Sequence, residues 1–322
     1  MVAKHMDYFK KITKLSLVVL IVCFCVGYID FDAFIKGITV DLMIAMFVSQ
    51  FMVMIAVFFM SIRLSIYSGG LNSNYYCCYK AIFLSMGFNI IVPGRLSEFV
   101  KPFYLKSKAG IKFENGLCSV FLERISDLLT LSSLAVFVLS STFFEISSKI
   151  FIIVPFFIFL LLFSLPRLSS FLEIIIEKIR INTIGNLLNN ILFHLTDSVK
   201  DQRLVRGFSF GLLGWLFSML SLVSFFMIAD GGSISVSQCL VIFVVSTFAY
   251  AVPALPAGVG TYEASIVFVL NRFGYDLEKS VLLAISLHVA QIFLIGIATT
   301  IILVREDLNI FNIVKRSKLK HV

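Results

Sequence analysis

Apolar residues run along this chain in blocks of about twenty, the length a helix needs to cross the hydrocarbon core of a bilayer, and short charged stretches separate the blocks. Full spans are predicted near residues 15–29, 39–62, 117–141, 150–166, 208–229 and 280–304. Two further apolar stretches do not read as spans. The first, about 80–106, is broken by Pro93-Gly94 and then carries Arg95, Glu98 and Lys101. The second, about 236–272, is broken by Pro253, Pro256, Gly258 and Gly260 and then carries Glu263. Proline removes a backbone donor and glycine weakens a helix. Irregular backbone at membrane depth is tolerated only where protein or a wet cavity satisfies it. Each stretch is therefore predicted to be a re-entrant hairpin: a half-helix, a break, and a second half-helix returning to the same side.

The order span, broken hairpin, span occurs twice. Glu98 and Glu263 are 165 positions apart; the same offset carries Glu123 to His288 and residues 42–62 onto 207–227. The charge pattern places the first hairpin's entrance on the cytoplasmic side and the second's outside, as in an inverted-topology repeat, whose site lies at the repeat interface. The predicted fold is an all-α integral membrane protein with about six transmembrane helices plus two opposed re-entrant helical hairpins, in one membrane domain. Residues 1–37 form an N-terminal anchor helix, 38–145 the first repeat, 146–202 a linking helix and cytoplasmic amphipathic segment, 203–306 the second repeat, and 307–322 a basic cytoplasmic tail. The first span follows Lys4, Lys10, Lys11 and Lys14, but no small-x-small cleavage site follows Tyr28, so it is expected to stay uncleaved.

Composition narrows the class. The 322 residues are 59% hydrophobic and 14% charged, against about 45–50% and about 25% in soluble domains. That excludes a soluble enzyme, a DNA-binding domain, a disordered tail and a secreted disulfide scaffold. The formal net charge of +8 is read through the positive-inside rule: with a cytoplasmic N-terminus, inner segments hold 22 of the 27 Lys and Arg, Arg63, Lys80 and Lys101 among them. Outer segments hold four, Lys36, Lys149, Arg272 and Lys279, and Arg124 lies inside a span. Both termini are therefore expected in the cytoplasm. In 167–206, apolar residues recur at helical spacing (Leu168, Leu172, Ile175, Ile176, Ile179), which predicts amphipathic helices on the cytoplasmic membrane face or a helical connector. The cysteines lie in apolar runs, apart from Cys77-Cys78 in an expected loop, and none has metal-ligand spacing.

Ionisable groups inside apolar runs are the candidate chemistry, because charge in hydrocarbon is expensive and is kept for pairing or function. Glu123 and Asp127 share a helix face at i,i+4, and Arg124 is i+3 from Asp127; an ion-paired pin holding this span to the hairpin is the structural alternative. His288 and Gln291 are i,i+3 in the last span, and His288 is the candidate for a proton-linked step. The half-helices after the breaks begin near Arg95 and Thr261, where backbone amides carry positive partial charge suited to an anion. Arg95 would add bidentate phosphate recognition, and Glu98 and Glu263, one turn inside, would pair with Arg124, bind a cationic headgroup or take a proton. No metal and no cofactor is expected.

Three ordered motifs carry a resemblance: Asn89-x-x-x-Pro93-Gly94-Arg95-Leu-Ser-Glu98, Leu122-Glu123-Arg124-x-x-Asp127, and Leu255-Pro256-Ala-Gly258-Val-Gly260-Thr261-Tyr262-Glu263. Together they resemble the flippase-like transmembrane region of the lysylphosphatidylglycerol synthases, over nearly the whole chain. The resemblance implies an inner-membrane protein whose better-known relatives move an aminoacylated phospholipid between leaflets. Bifunctional relatives carry a soluble synthase domain after the membrane part; eighteen residues follow Val304 here, so that domain, and lysyl transfer, are not expected. The expected function is translocation of an anionic-headgroup lipid, a phospholipid or a polyprenyl-phosphate-linked glycan. Its substrate-binding residues are Asn89, Pro93, Gly94, Arg95, Glu98, Glu123, Arg124, Asp127, Pro256, Gly258, Gly260, Thr261, Tyr262, Glu263, His288 and Gln291. The rival readings are a membrane enzyme holding Mg²⁺ on Glu123 and Asp127, and a non-catalytic partner in lipid or surface-polysaccharide biosynthesis. Expected partners are membrane lipids, with lipid- or glycan-biosynthesis enzymes and a second copy of the chain as further candidates; nucleic acid is not expected.

Overall fold

The computed structural model describes residues 37–69, 75–91, 96–142, 193, 196–197, 202–252 and 256–306, and side chains of the helix ending at 142 as far as 138. The predicted spans at 15–29 and 150–166, most of the amphipathic segment, the basic tail, and Pro93, Gly94, Arg95 and Pro253 lie outside the described residues. Every described element is helical: α1 (Val40–Tyr67), α2 (Tyr75–Ile91), a 3₁₀ turn (Leu96–Phe99), α3 (Val100–Ala109), α4 (Phe113–Thr142), α5 (Arg203–Ala229), α6 (Val236–Ala251), a second 3₁₀ turn (Pro256–Gly258), α7 (Thr261–Arg272) and α8 (Leu277–Arg305). Three of them, α1, α5 and α8, are long and apolar enough to cross a membrane. The thirty-residue α4 is as long, but Glu123, Arg124 and Asp127 interrupt its apolar run.

Local chemistry sets the ends. Thr39 caps α1 by accepting from the Leu42 amide at 3.2 Å, and Asp276 caps α8 by accepting from the Lys279 amide at 2.7 Å. Ser235 and Gln238 form a capping box on α6. Gly110 ends α3 in the left-handed conformation, φ 68°.

The long helices α1 and α5 lie against each other in opposite directions along their length. Gly207 faces Tyr67, Gly211 faces Arg63 and Gly214 faces Met60. Small residues at such spacing let two backbones approach closely where hydrocarbon supplies no hydrophobic drive between helices. A methyl group on Gly207 would fall 2.2 Å from Tyr67 Cε1, so the approach depends on glycine there.

The broken elements are short. With 17, 10, 16 and 12 residues, α2, α3, α6 and α7 measure roughly 25, 15, 24 and 18 Å at 1.5 Å per residue, below the roughly 30 Å of a bilayer core. Lys80 near the start of α2 and Lys108 at the end of α3 both pair with Glu306, which follows α8, the latter at 2.7 Å. Tyr275 beyond α7 and Lys279 at the start of α8 both pair with Asp230, which stands between α5 and α6. The two interrupted helix pairs are thus pinned at opposite ends of α8. Their inner tips meet: Asn89 Nδ2 donates to the Tyr250 hydroxyl at 2.9 Å. Asn89 stands near the C-terminal end of α2 and Tyr250 near that of α6.

Two expectations need correction. Cys77 and Cys78 lie in the first turn of α2 rather than in a loop, and Cys78 is buried in the core shared by α1, α2 and α3. Arg63 and Lys101 are not aqueous flanking charges: α1 continues past Arg63 to Tyr67, and both side chains are enclosed, at 2% and 4% exposure. Taking these two from the inner 22 leaves 20 against four outside, so the charge bias keeps its sign.

Candidate functional site

Buried charges from α1, α3, α4 and the first 3₁₀ turn converge beside α5. Arg63 reaches Asp127 Oδ1 at 2.6 Å with Nη1 and Glu123 Oε1 at 3.2 Å with Nη2. Lys101 Nζ joins Glu123 Oε2 at 3.0 Å to Glu98 Oε2 at 2.8 Å. Arg124 lies 3.0 Å from Asp127 Oδ2 and 3.7 Å from Glu98 Oε1. In sequence around the contacts, Arg63, Asp127, Arg124, Glu98, Lys101 and Glu123 close a ring of alternating sign. Three cations balance three carboxylates, and each carboxylate touches two cations. That arrangement answers the desolvation of burial, since a charge left unpaired in a low-dielectric interior is strongly destabilising.

Neighbours fix the ring's orientation. The chain's single tryptophan, Trp215 on α5, donates from its indole to Asp127 Oδ1 at 2.8 Å. Tyr67 and Ser126 share a hydrogen bond of 2.7 Å beneath it. Ser85 of α2 donates to the Ser97 carbonyl at 3.0 Å and fastens the 3₁₀ turn that presents Glu98.

The ring opens on a cavity of about 420 Å³. Its walls are mostly apolar, with Met60, Met86, Leu128, Leu131 and Phe248 facing the ring's charges. Trp215, Thr247 and Tyr250 bring the second half of the chain to the same space. Of the ring, Arg124 and Glu98 are the most accessible, with side chains 37% and 23% exposed.

A second cluster surrounds the turn Pro256–Gly258. Ala257, Gly258 and Gly260 all take positive φ, 54°, 71° and 87°. Glycine is required at 258 for a second reason, because a Cβ there would stand 2.7 Å from Tyr250 Cδ2. Thr261 Oγ1 donates to the Gly258 carbonyl at 3.0 Å. Glu263 Oε2 accepts from the Gly260 amide at 2.8 Å, and its Oε1 is 2.7 Å from His288 Nδ1. Tyr262 stacks at a tilt on His288, 4.8 Å between centroids, and its hydroxyl is 3.5 Å from Gln291 Nε2.

The sequence-derived site residues therefore divide. Glu98, Glu123, Arg124 and Asp127 belong to the ring, and Asn89 lines the same cavity. Pro256, Gly258, Gly260, Thr261, Tyr262, Glu263, His288 and Gln291 cluster around the second turn. Of these, none lines the cavity; Tyr262 links to it through Tyr250, 5.9 Å away in an edge-to-face contact. Pro93, Gly94 and Arg95 lie outside the described residues. Of the amides that the sequence pattern offers to an anion at the start of α7, the one on the capping residue Gly260 is engaged by Glu263.

Sequence reasoning missed Arg63, Lys101, Trp215 and Tyr250. Lys101 had a readable sign, the i,i+3 spacing from Glu98. Arg63 had a weaker one, a serine two positions away on each side and helix continuing beyond it.

Residues 11–298 match the family described as the lysylphosphatidylglycerol synthase TM region. The chain belongs to that family. It is also 24% identical over 238 residues to the UPF0104 membrane protein MJ1078 of Methanocaldococcus jannaschii, an alignment that covers 72% of this chain and 100% of that protein. No solved structure matches. Family membership and the three apolar spans make this LPG-synthase-TM-region chain a membrane protein.

Proposed function

We propose that this family member translocates an anionic-headgroup lipid, a phospholipid or a polyprenyl-phosphate-linked glycan, across the cytoplasmic membrane, and that the ring-lined cavity receives the headgroup. One observation carries the reading: a charge-balanced ring opens through Arg124 into an apolar-walled space to which both halves of the chain contribute. A phosphate fits a guanidinium that faces such a space, and acyl chains fit the walls.

The reading includes six spans, two opposed re-entrant hairpins and cytoplasmic termini. The pins at Glu306 and Asp230 support it, because each hairpin begins and ends at one node and the nodes stand at opposite ends of α8. The hydrogen bond between Asn89 and Tyr250 supports an interface between the tips of the two halves. The cavity would serve one leaflet, and the Glu263–His288 cluster would answer it in the other half. A Mg²⁺ ion on Glu123 and Asp127 is disfavoured, since Arg63 bridges these carboxylates and would have to be displaced.

Reconstitution into phosphatidylcholine liposomes containing fluorescent phosphatidylglycerol tests the proposal. Headgroup exposure to an outside quencher should be rapid with the wild-type chain. It should collapse in Arg124→Ala and Glu263→Ala variants that elute as folded protein. Equal scrambling in the wild type and both variants would reject the site.

A further inference from the structure

Five of the ring's six contacts measure 2.6 to 3.2 Å. The sixth, Arg124 Nη1 to Glu98 Oε1, is 3.7 Å and joins the two members that face the cavity most openly. Arg124 Nε is enclosed and has no hydrogen-bond partner among the described residues. Nε is out of a ligand's reach, so the loosely held Nη1 is the donor that a phosphate oxygen can take over, while Nη2 stays on Asp127 at 3.0 Å. Glu98 Oε1 stands at that Nη1, and the other carboxylate oxygen of Glu98 is held separately by Lys101 at 2.8 Å.

Displacement alone leaves a charge in excess. The ring is neutral, so an incoming phosphate makes the assembly negative by one in a low-dielectric space. The charged and titratable groups facing Glu98 are Lys101 from α3, Arg124, Glu123 and Asp127 from α4, Arg63 from α1, and Tyr250 from α6; α2 contributes the neutral Ser85 and Asn89. The three cations already serve three carboxylates. Glu98 is the carboxylate most open to the cavity.

We propose that Glu98 takes up one proton as the headgroup phosphate replaces it on Arg124, so that each anionic lipid enters the cavity together with one proton. An O–H bond forms at the freed carboxylate oxygen as an O–H bond of hydronium at the cavity mouth breaks and releases water. The inference rests on the reading of this cavity as a headgroup site.

Calorimetric titration of the purified full chain with a micelle-free short-chain phosphatidylglycerol, between about pH 5.5 and 7.5, tests it. One proton taken up per lipid tightens binding by up to about tenfold for each unit the pH falls. Glu98→Gln should bind more tightly than wild type near neutrality and show no such slope. Arg124→Gln should lose binding. A gain in affinity cannot be produced by misfolding. A wild-type affinity that is flat with pH, or a Glu98→Gln variant that retains the slope, overturns the proton uptake. Arg124-dependent binding that is flat with pH removes only this step and leaves the headgroup site standing. Absence of binding in every form removes both. Short-chain phosphatidylethanolamine bound as well as phosphatidylglycerol and without a slope would mean that the lipid brings its own positive charge, which also overturns the proposal.

Discussion

Arg63 is the member of the ring whose removal should be felt most. It is 2% exposed and contacts two carboxylates, at 2.6 and 3.2 Å, that are themselves buried. Arg63→Met keeps much of the side chain's volume against Gly211 and deletes its charge, so the ring is left with two cations and three carboxylates. Breaking a buried pair by removing one partner costs about 3–5 kcal/mol, because the other charge stays desolvated. For a chain of this size that corresponds to a melting shift on the order of 10 °C. The variant Asp127→Asn, made alone, should be destabilised in the same sense. The double variant Arg63→Met/Asp127→Asn restores neutrality, with Glu123 held by Lys101 and Arg124 held by Glu98, and should melt above the Arg63→Met single variant. The cycle isolates the coupling between the two residues. Surviving monodisperse protein should be measured after heating in lipid nanodiscs, since Trp215 fluorescence would itself respond to a change at Asp127. An Arg63→Met variant that melts with the wild type, or a double variant that melts below it, would refute the ring as a charge-balanced unit.

Two further outcomes follow from the helix pairs and their pins. Gly207→Ile places side-chain atoms inside Tyr67, whose ring already lies 2.2 Å from an ideal Cβ, and should lower the yield of folded protein sharply, while Gly274→Ala, with open space around it, should lose only the strain of its φ of 87°. Detergent-solubilised yield on size exclusion reads both. Hydrogen bonds from Lys108 and Lys80 hold the Glu306 carboxyl below the ordinary carboxylate range of about 4.5. A depressed folded value means that its stabilisation is fully present above about pH 4.5 and fades as the pH falls through the lowered value. Glu306→Gln should therefore melt lower than wild type at neutral pH, and the gap should close in acid.

Much of this architecture is legible in the chain because hydropathy is a length rule. The blocks at 39–62, 117–141, 208–229 and 280–304 correspond to α1, α4, α5 and α8, with ends shifted by a few residues. The stretch 80–106 holds parts of α2 and α3, and the stretch 236–272 holds α6 and α7, each of these helices shorter than α1, α5 or α8. Glu123, Arg124 and Asp127 stood out because charge within an apolar run has few innocent explanations. Arg63 did not, because an arginine at the end of an apolar block looks like an ordinary flanking charge; only the partner sixty residues away at Glu123 gives it another meaning. Pairings across such distances, like Lys80 with Glu306 or Asn89 with Tyr250, leave no local pattern. The repeat offset brought Glu263 and His288 to notice, and the structure joins them to each other rather than to the cavity.

The claim on which the account stands is that Arg124 presents a headgroup site to lipid inside the protein. Electron microscopy of the full chain in nanodiscs containing phosphatidylglycerol would test it most directly. The account predicts phosphate density within hydrogen-bond reach of Arg124 Nη1, with Glu98 withdrawn toward Lys101 and acyl density along Met86 and Leu131. A cavity filled by side chains, or lipid ordered only on the outer faces of α1 and α8 while Arg124 stays closed on Glu98, would contradict it.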